Sequence, residues 1–134
     1  MEDIKRGYCI DSDILIDYLR GIEDARTFLI QASKNAPLYI SVVSIVELYA
    51  GKETKQEEKQ KYIERFLKEF MVIPLNEALA QSAGEFRRDY GKPFADMIIA
   101  ASAHAYHLRL ATRNIKHFEA LHTGAARLSV VKPY

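Results

Sequence analysis

The chain has little cysteine, little net charge and no long apolar run. Cys9 is the single cysteine of 134 residues, so no disulfide forms within the chain and stability has to come from a packed core. That fits an intracellular, cytoplasmic protein. The net charge of +1 marks no polyanionic partner by itself. The first apolar stretch, behind Lys5 and Arg6, is interrupted by Asp11 and Asp13, and so reads as neither a signal peptide nor a membrane span. There is no repeat, low-complexity tract or internal linker, and residues 1–134 read as a single domain.

What is present is a regular alternation. Apolar residues make up 49% of the chain. Tyr8-Cys9-Ile10 is a short apolar run ending in Asp11-Ser12-Asp13, and a helical pattern follows through Leu19. Arg20-Gly21 closes that helix, and a second is predicted over Glu23 to Lys34. Further strands are predicted at Leu38 to Val43, Met71 to Leu75, Leu108 to Thr112 and Leu128 to Val131. Between them, Ser44 is expected to cap a helix over Ile45 to Ala50, and Lys52 to Lys61 reads as the solvated start of another that runs on to Phe70. Asn76 caps a helix through Tyr90, and Asp96 opens a nearly all-apolar, hence buried, helix over Met97 to Tyr106. Ile115 to Leu121 is a short last helix. Strands alternating with helices imply an α/β fold with a mostly parallel five-stranded sheet covered on both faces.

In such a sheet the strand carboxyl ends and the following helix starts share one edge, where ligands bind. Asp11 ends the first strand, Glu47 lies early in the helix after the second, Asp96 starts the buried helix, and Asn114 follows the fourth strand. Three carboxylates and an amide therefore converge. Asp13 and Asp96 could equally serve as helix caps, and Asn114 as a turn residue. Glu47 stands among apolar neighbours in Val42-Val43-Ser44-Ile45-Val46-Glu47-Leu48-Tyr49, where an unpaired carboxylate is costly. Acids forced together bind a hard divalent cation through oxygen. Mg²⁺ or Mn²⁺ suits them better than zinc, because histidine and cysteine are missing from the set. A cation held this way activates water and neutralises phosphodiester charge, which points to a nuclease. The charge distribution agrees: through Asp96 there are 14 Lys and Arg against 17 Asp and Glu, and from Met97 onward 5 against 1. Arg113, Lys116 and Lys92 are candidates for contacts to RNA phosphates, with Arg87 and Arg88 behind them.

Four segments in order resemble the motifs of the PIN-domain family, and within it the VapC-type toxins of toxin–antitoxin pairs. They are Ile10 to Asp17, Ser41 to Gly51, Asp96 to Ala101, and Leu110-Ala111-Thr112-Arg113-Asn114 with Phe118. The resemblance implies a three-layer α/β/α fold and Mg²⁺- or Mn²⁺-dependent endoribonuclease activity that leaves 3′-hydroxyl and 5′-phosphate ends. It also implies a homodimer and a VapB-type antitoxin. By position, Asp11, Glu47 and Asp96 match the family's acidic metal-site residues, and Thr112 matches a polar residue lining the site. Many members carry a fourth acid at the position of Asn114 or His117. Asn and His stand there instead, which weakens any second metal, although the Asn114 carbonyl can still serve a metal or its water. Asp13 is expected to cap the first helix and support the site, and Asp17 either orients the ligands or is exposed. The Tyr62, Phe66 and Phe70 stripe is core, with part of it facing the antitoxin groove.

Other functions fit less well. A haloacid-dehalogenase phosphatase also begins Asp-x-Asp but requires a later Gly-Asp motif, and this chain has no Gly-Asp pair. A module that binds RNA or antitoxin without cutting would not need the acidic triad. An RNA-processing nuclease outside a toxin–antitoxin pair shares the same site. His104 and His107 lie one turn apart with no evident third ligand and read as surface residues.

Overall fold

The computed structural model describes residues 7–134; Lys5 and Arg6 lie outside them. Five strands form one sheet: β1 (Tyr8–Ile10), β2 (Leu38–Ser41), β3 (Met71–Ile73), β4 (Arg109–Ala111) and β5 (Val130–Val131). Their order is β3-β2-β1-β4-β5, and every pairing is parallel. Seven α-helices connect them: α1 (Ser12–Leu19), α2 (Glu23–Ser33), α3 (Val42–Tyr49), α4 (Glu57–Leu67), α5 (Glu77–Tyr90), α6 (Phe94–Ala105) and α7 (Ile115–Thr123).

The three layers follow from the two-residue period of the strands. Cys9 and Leu110 point into one core with Leu79 and Ala83 of α5, Met97 and Ala100 of α6, and Phe118 and Leu121 of α7. Their neighbours Ile10 and Ala111 point the other way. They join Ile40, Ile14 and Leu15 of α1, Ala25 and Leu29 of α2, and Ile63 and Phe66 of α4. The inner strands β1, β2 and β4 are therefore buried on both faces and read as continuous apolar runs, whereas the edge strand β3 exposes Met71 and Val72. Among the described residues no helix is long and apolar enough to cross a membrane.

Several predicted boundaries shift. β2 ends at Ser41, whose hydroxyl accepts from the Val43 amide 3.1 Å away, so α3 starts at Val42 with Ser41 as its cap in place of Ser44. Ser44, inside the helix, is fully buried and free for another partner. Lys52–Lys55 forms a separate 3₁₀ turn, and extended backbone at Gln56 (ψ 124°) breaks it from α4. The chain enters α6 two residues before Asp96, with Pro93 in the cap position, where a missing N–H costs nothing. Asn76 caps α5 as predicted, accepting from the Leu79 amide at 2.9 Å, and Gly91 closes it with φ of +70°.

The strand order has a consequence for function. From β1 the chain builds outward through β2 to β3, then returns across α5 and α6 to lay β4 on the other side of β1. The reversal falls between β1 and β4, at the crevice where open α/β sheets bind ligands. Leu110 lies at the centre of that pairing, opposite Cys9 and fully buried. Leu110→Ala should lower the unfolding free energy by about 2–5 kcal/mol in urea denaturation. A loss below about 1 kcal/mol would mean that this packing is not what holds the strands.

Candidate functional site

The crevice is closed by a hydrogen bond between the two strands that flank it. Asp11 directly follows β1, and its amide still pairs with the Ala111 carbonyl at 2.9 Å. Its side chain caps α1, accepting from the Ser12 amide at 2.7 Å through Oδ1, while Oδ2 accepts from the Thr112 hydroxyl at 2.7 Å. Asp11 thus takes the cap expected of Asp13, because the helix begins at Ser12, two residues before the start that an Asp13 cap implies. Asp11 is 6% exposed and Thr112 fully buried.

Two hydrogen-bonded branches spread from this pair. On one side, the Ser12 hydroxyl donates to Glu47 Oε1 and lies 2.8 Å from the Ser44 hydroxyl. On the other, Thr112 Oγ1 accepts from the Asn114 amide at 2.9 Å, and the Asn114 side chain lies 2.8 Å from Nδ1 of His117. The same Nδ1 contacts Asp96 Oδ2. Glu47, Ser12, Asp11, Thr112, Asn114, His117 and Asp96 therefore form one continuous chain along the sheet edge. The acids meet through these intermediaries: among the described residues no three His, Cys, Asp or Glu side chains stand as a ready-made metal cluster.

The structure bears on three sequence expectations. Glu47 is exposed, so its apolar sequence neighbours did not bury it; they turn to the other sides of α3. Asp17 is buried, and both Nε of Arg113, at 2.7 Å, and the Tyr134 hydroxyl, at 2.7 Å, reach its Oδ2. Arg113, the foremost phosphate candidate, has its guanidinium committed to that pair, and its backbone N–H donates to Asp13 Oδ2 at 3.0 Å. Lys116 on α7 is exposed, and Lys92 is half-buried just ahead of α6. The sequence reading singled out neither Ser12 nor Ser44 as a site residue. A serine between two aspartates and one inside an otherwise apolar helix are the signals that were there to read.

The electrostatics favour a cation. Burial, then the Asp13 charge, push the Asp11 carboxyl from 3.8 up to about 7, with Asp96 adding to the rise against the Thr112 and Ser12 hydrogen bonds. Burial also raises Asp13, opposed by the Arg113 N–H and charge. One Asp13 oxygen, Oδ1, is buried without a partner. Crowded, poorly neutralised carboxylate oxygens with spare lone pairs suit a divalent ion, so the donor set fits Mg²⁺ or Mn²⁺.

The PIN domain family model matches residues 8–122. The chain belongs to the PIN-domain family. It is 41% identical over 114 residues to Ribonuclease VapC10 of Mycobacterium tuberculosis, spanning 81% of this chain and 84% of that protein. Among solved structures it is similar to a toxin–antitoxin complex from Klebsiella pneumoniae, with a TM-score of 0.77, 28% identity, and 96% and 98% of the two chains covered. VapBC2 from Rickettsia felis, bound to a promoter DNA fragment, shares the fold with a TM-score of 0.78 at 24% identity, over 92% and 96% of the chains. The PIN-domain sheet, its switch point and the positions of all four sequence motifs coincide at one edge.

The raised Asp11 pKa makes stability depend on pH. In the window from about 4 to about 7 the folded chain holds a proton on Asp11 that the unfolded chain releases, so the folded state binds more protons. Its contribution is complete below about pH 4 and lost as pH rises through about 7, on the order of 4 kcal/mol. In EDTA, urea denaturation should show the protein less stable at pH 8 than at pH 5. Asp11→Asn should flatten that dependence and exceed the parent at pH 8. Equal slopes for parent and variant would remove the buried charge from the account.

Proposed function

We propose that this PIN-domain protein is a divalent-metal-dependent endoribonuclease acting as the toxin of a VapBC-type pair in the cytoplasm, with Mg²⁺ or Mn²⁺ held by Asp11, Glu47 and Asp96. The observation that carries the reading is the hydrogen-bonded chain that joins these three acids across the switch point. Its support from relatives is the 41% identity to a protein named as a ribonuclease, together with a 28% identical chain in a toxin–antitoxin complex.

A divalent ion at this edge supplies an activated water and neutralises charge on the phosphodiester. The chain's own residues prepare for it. Thr112 and the Ser12 amide each occupy one lone pair of Asp11 and leave its remaining pairs for an ion. The Ser12 hydroxyl orients Glu47, which as an exposed side chain would otherwise be mobile. Arg113 and Tyr134 hold Asp17, and the Arg113 amide fixes Asp13, so the loop after β4 keeps Thr112 and Asn114 in place. Exposed Lys116 and half-buried Lys92 are the basic side chains available for RNA phosphates.

The antitoxin would use a different face. Ile16, Leu19, Leu48, Tyr62 and Ile63 line a groove of about 420 Å³ between α1, α3 and α4, flanked by Arg20, Glu53 and Lys59. An apolar floor with charged rims suits an amphipathic segment. Of the aromatic stripe, Tyr62 faces this groove while Phe66 and Phe70 are buried in the core. A homodimer would accompany this assembly.

Purified chain with Mn²⁺ should cut RNA internally, leaving 5′-phosphate ends, and EDTA should stop it. Asp11→Asn and Asp96→Asn should each lower cleavage by about a hundredfold or more. A variant that cuts RNA and arrests growth like the parent would refute the assignment of its acid.

A further inference from the structure

We propose that His117 is a ligand of the metal, and that the site is therefore selective for Mn²⁺ over Mg²⁺. This rests on the metal-site reading above and adds a nitrogen donor to an otherwise all-oxygen set.

The argument starts from the far branch of the hydrogen-bonded chain. His117 sits in the first turn of α7 and Asp96 in the first turn of α6, and both turns open on the edge of the crevice. Nδ1 of His117 touches Asp96 Oδ2, and the side-chain nitrogen of Asn114, Nδ2, lies 2.8 Å from the same His117 nitrogen. An Nδ1 lone pair that accepts from the Asn114 amide is also the lone pair a metal ion would take. One carboxylate oxygen and one imidazole nitrogen then meet at a common point, with the Asn114 side chain beside them. A proton is the smallest cation that can sit between Nδ1 and Oδ2; a divalent ion that displaces it takes both atoms and leaves a neutral imidazole as ligand. The Asp11 charge reaches Asp96 from the other side of the crevice, so the ion is attracted from both strands.

The donor types decide the ion. Mg²⁺ holds to oxygen and keeps its waters, whereas Mn²⁺ accepts imidazole more readily and tolerates a mixed set. A carboxylate at position 117 would give an all-oxygen site with one more negative charge and favour Mg²⁺. Histidine exchanges that charge for selectivity.

Pulsed EPR of the full chain loaded with Mn²⁺ tests the assignment apart from activity. The parent should show ¹⁴N modulation from a coordinated imidazole. His117→Asp and His117→Gln should lose it while still binding Mn²⁺, as judged by titration of the Mn²⁺ signal. In competition titrations, His117→Asp should lower the preference for Mn²⁺ over Mg²⁺ by about tenfold. Mn²⁺ bound by the parent with no ¹⁴N modulation would overturn the inference and leave the carboxylate site standing, provided Asp96→Asn weakens that binding. Modulation that survives both His117 variants would place the nitrogen on another histidine and overturn it as well. If Asp96→Asn binds Mn²⁺ like the parent, the metal-site reading and this inference fail together.

Discussion

The structure depends on a buried carboxylate at the end of its central strand. Asp11 has water on almost no side, and its cost is offset only in part by two hydrogen bonds, one to the start of α1 and one across the crevice to Thr112. Those two bonds fix how β1 meets α1 and how β4 leaves the sheet. Because the strands on either side of Asp11 belong to opposite arms of the topology, the same residue marks the point where both arms meet. A carboxylate whose charge the surrounding side chains compensate poorly stands to gain from a cation, and binding free energy would then become stability.

Around that point the side chains act in relays. Glu47 is held through Ser12, and Asp96 through His117 and Asn114, so the acids approach a common place without being forced into mutual contact. This spacing limits their repulsion before a cation arrives. The Asp17, Arg113 and Tyr134 cluster lies behind the same loop and uses an arginine internally, leaving Lys116 and Lys92 as the more available basic groups near the edge. On the proposed reading, function and stability pull against each other here: a buried Asp11 charge costs the fold, and a cation held there would repay that cost.

The fold was legible because its signals are local. Cys9 against Ile10, and Leu110 against Ala111, alternate between two cores, and the apolar runs end at punctuated turns. The four motif segments fell on the sheet edge for the same reason. What stayed hidden depended on register and orientation. Whether Asp11 or Asp13 caps α1 turns on a two-residue difference in helix start, and Ser41 rather than Ser44 caps α3 through a similar shift of three residues. Glu47 looked buried because a sequence shows neighbours along the chain, whereas exposure depends on which way the helix turns. His117 looked like a departure from an acidic pattern, and only the packing of α6 beside α7 brings it onto Asp96.

The most direct measurement is a ¹³C NMR titration of the Asp11 carboxyl in the full chain, first in EDTA and then at saturating Mg²⁺. The account predicts a midpoint near 7 without metal, falling when Mg²⁺ is bound, since the ion favours the charged form. A midpoint in the ordinary aspartate range, about 4, and unmoved by Mg²⁺, would contradict it.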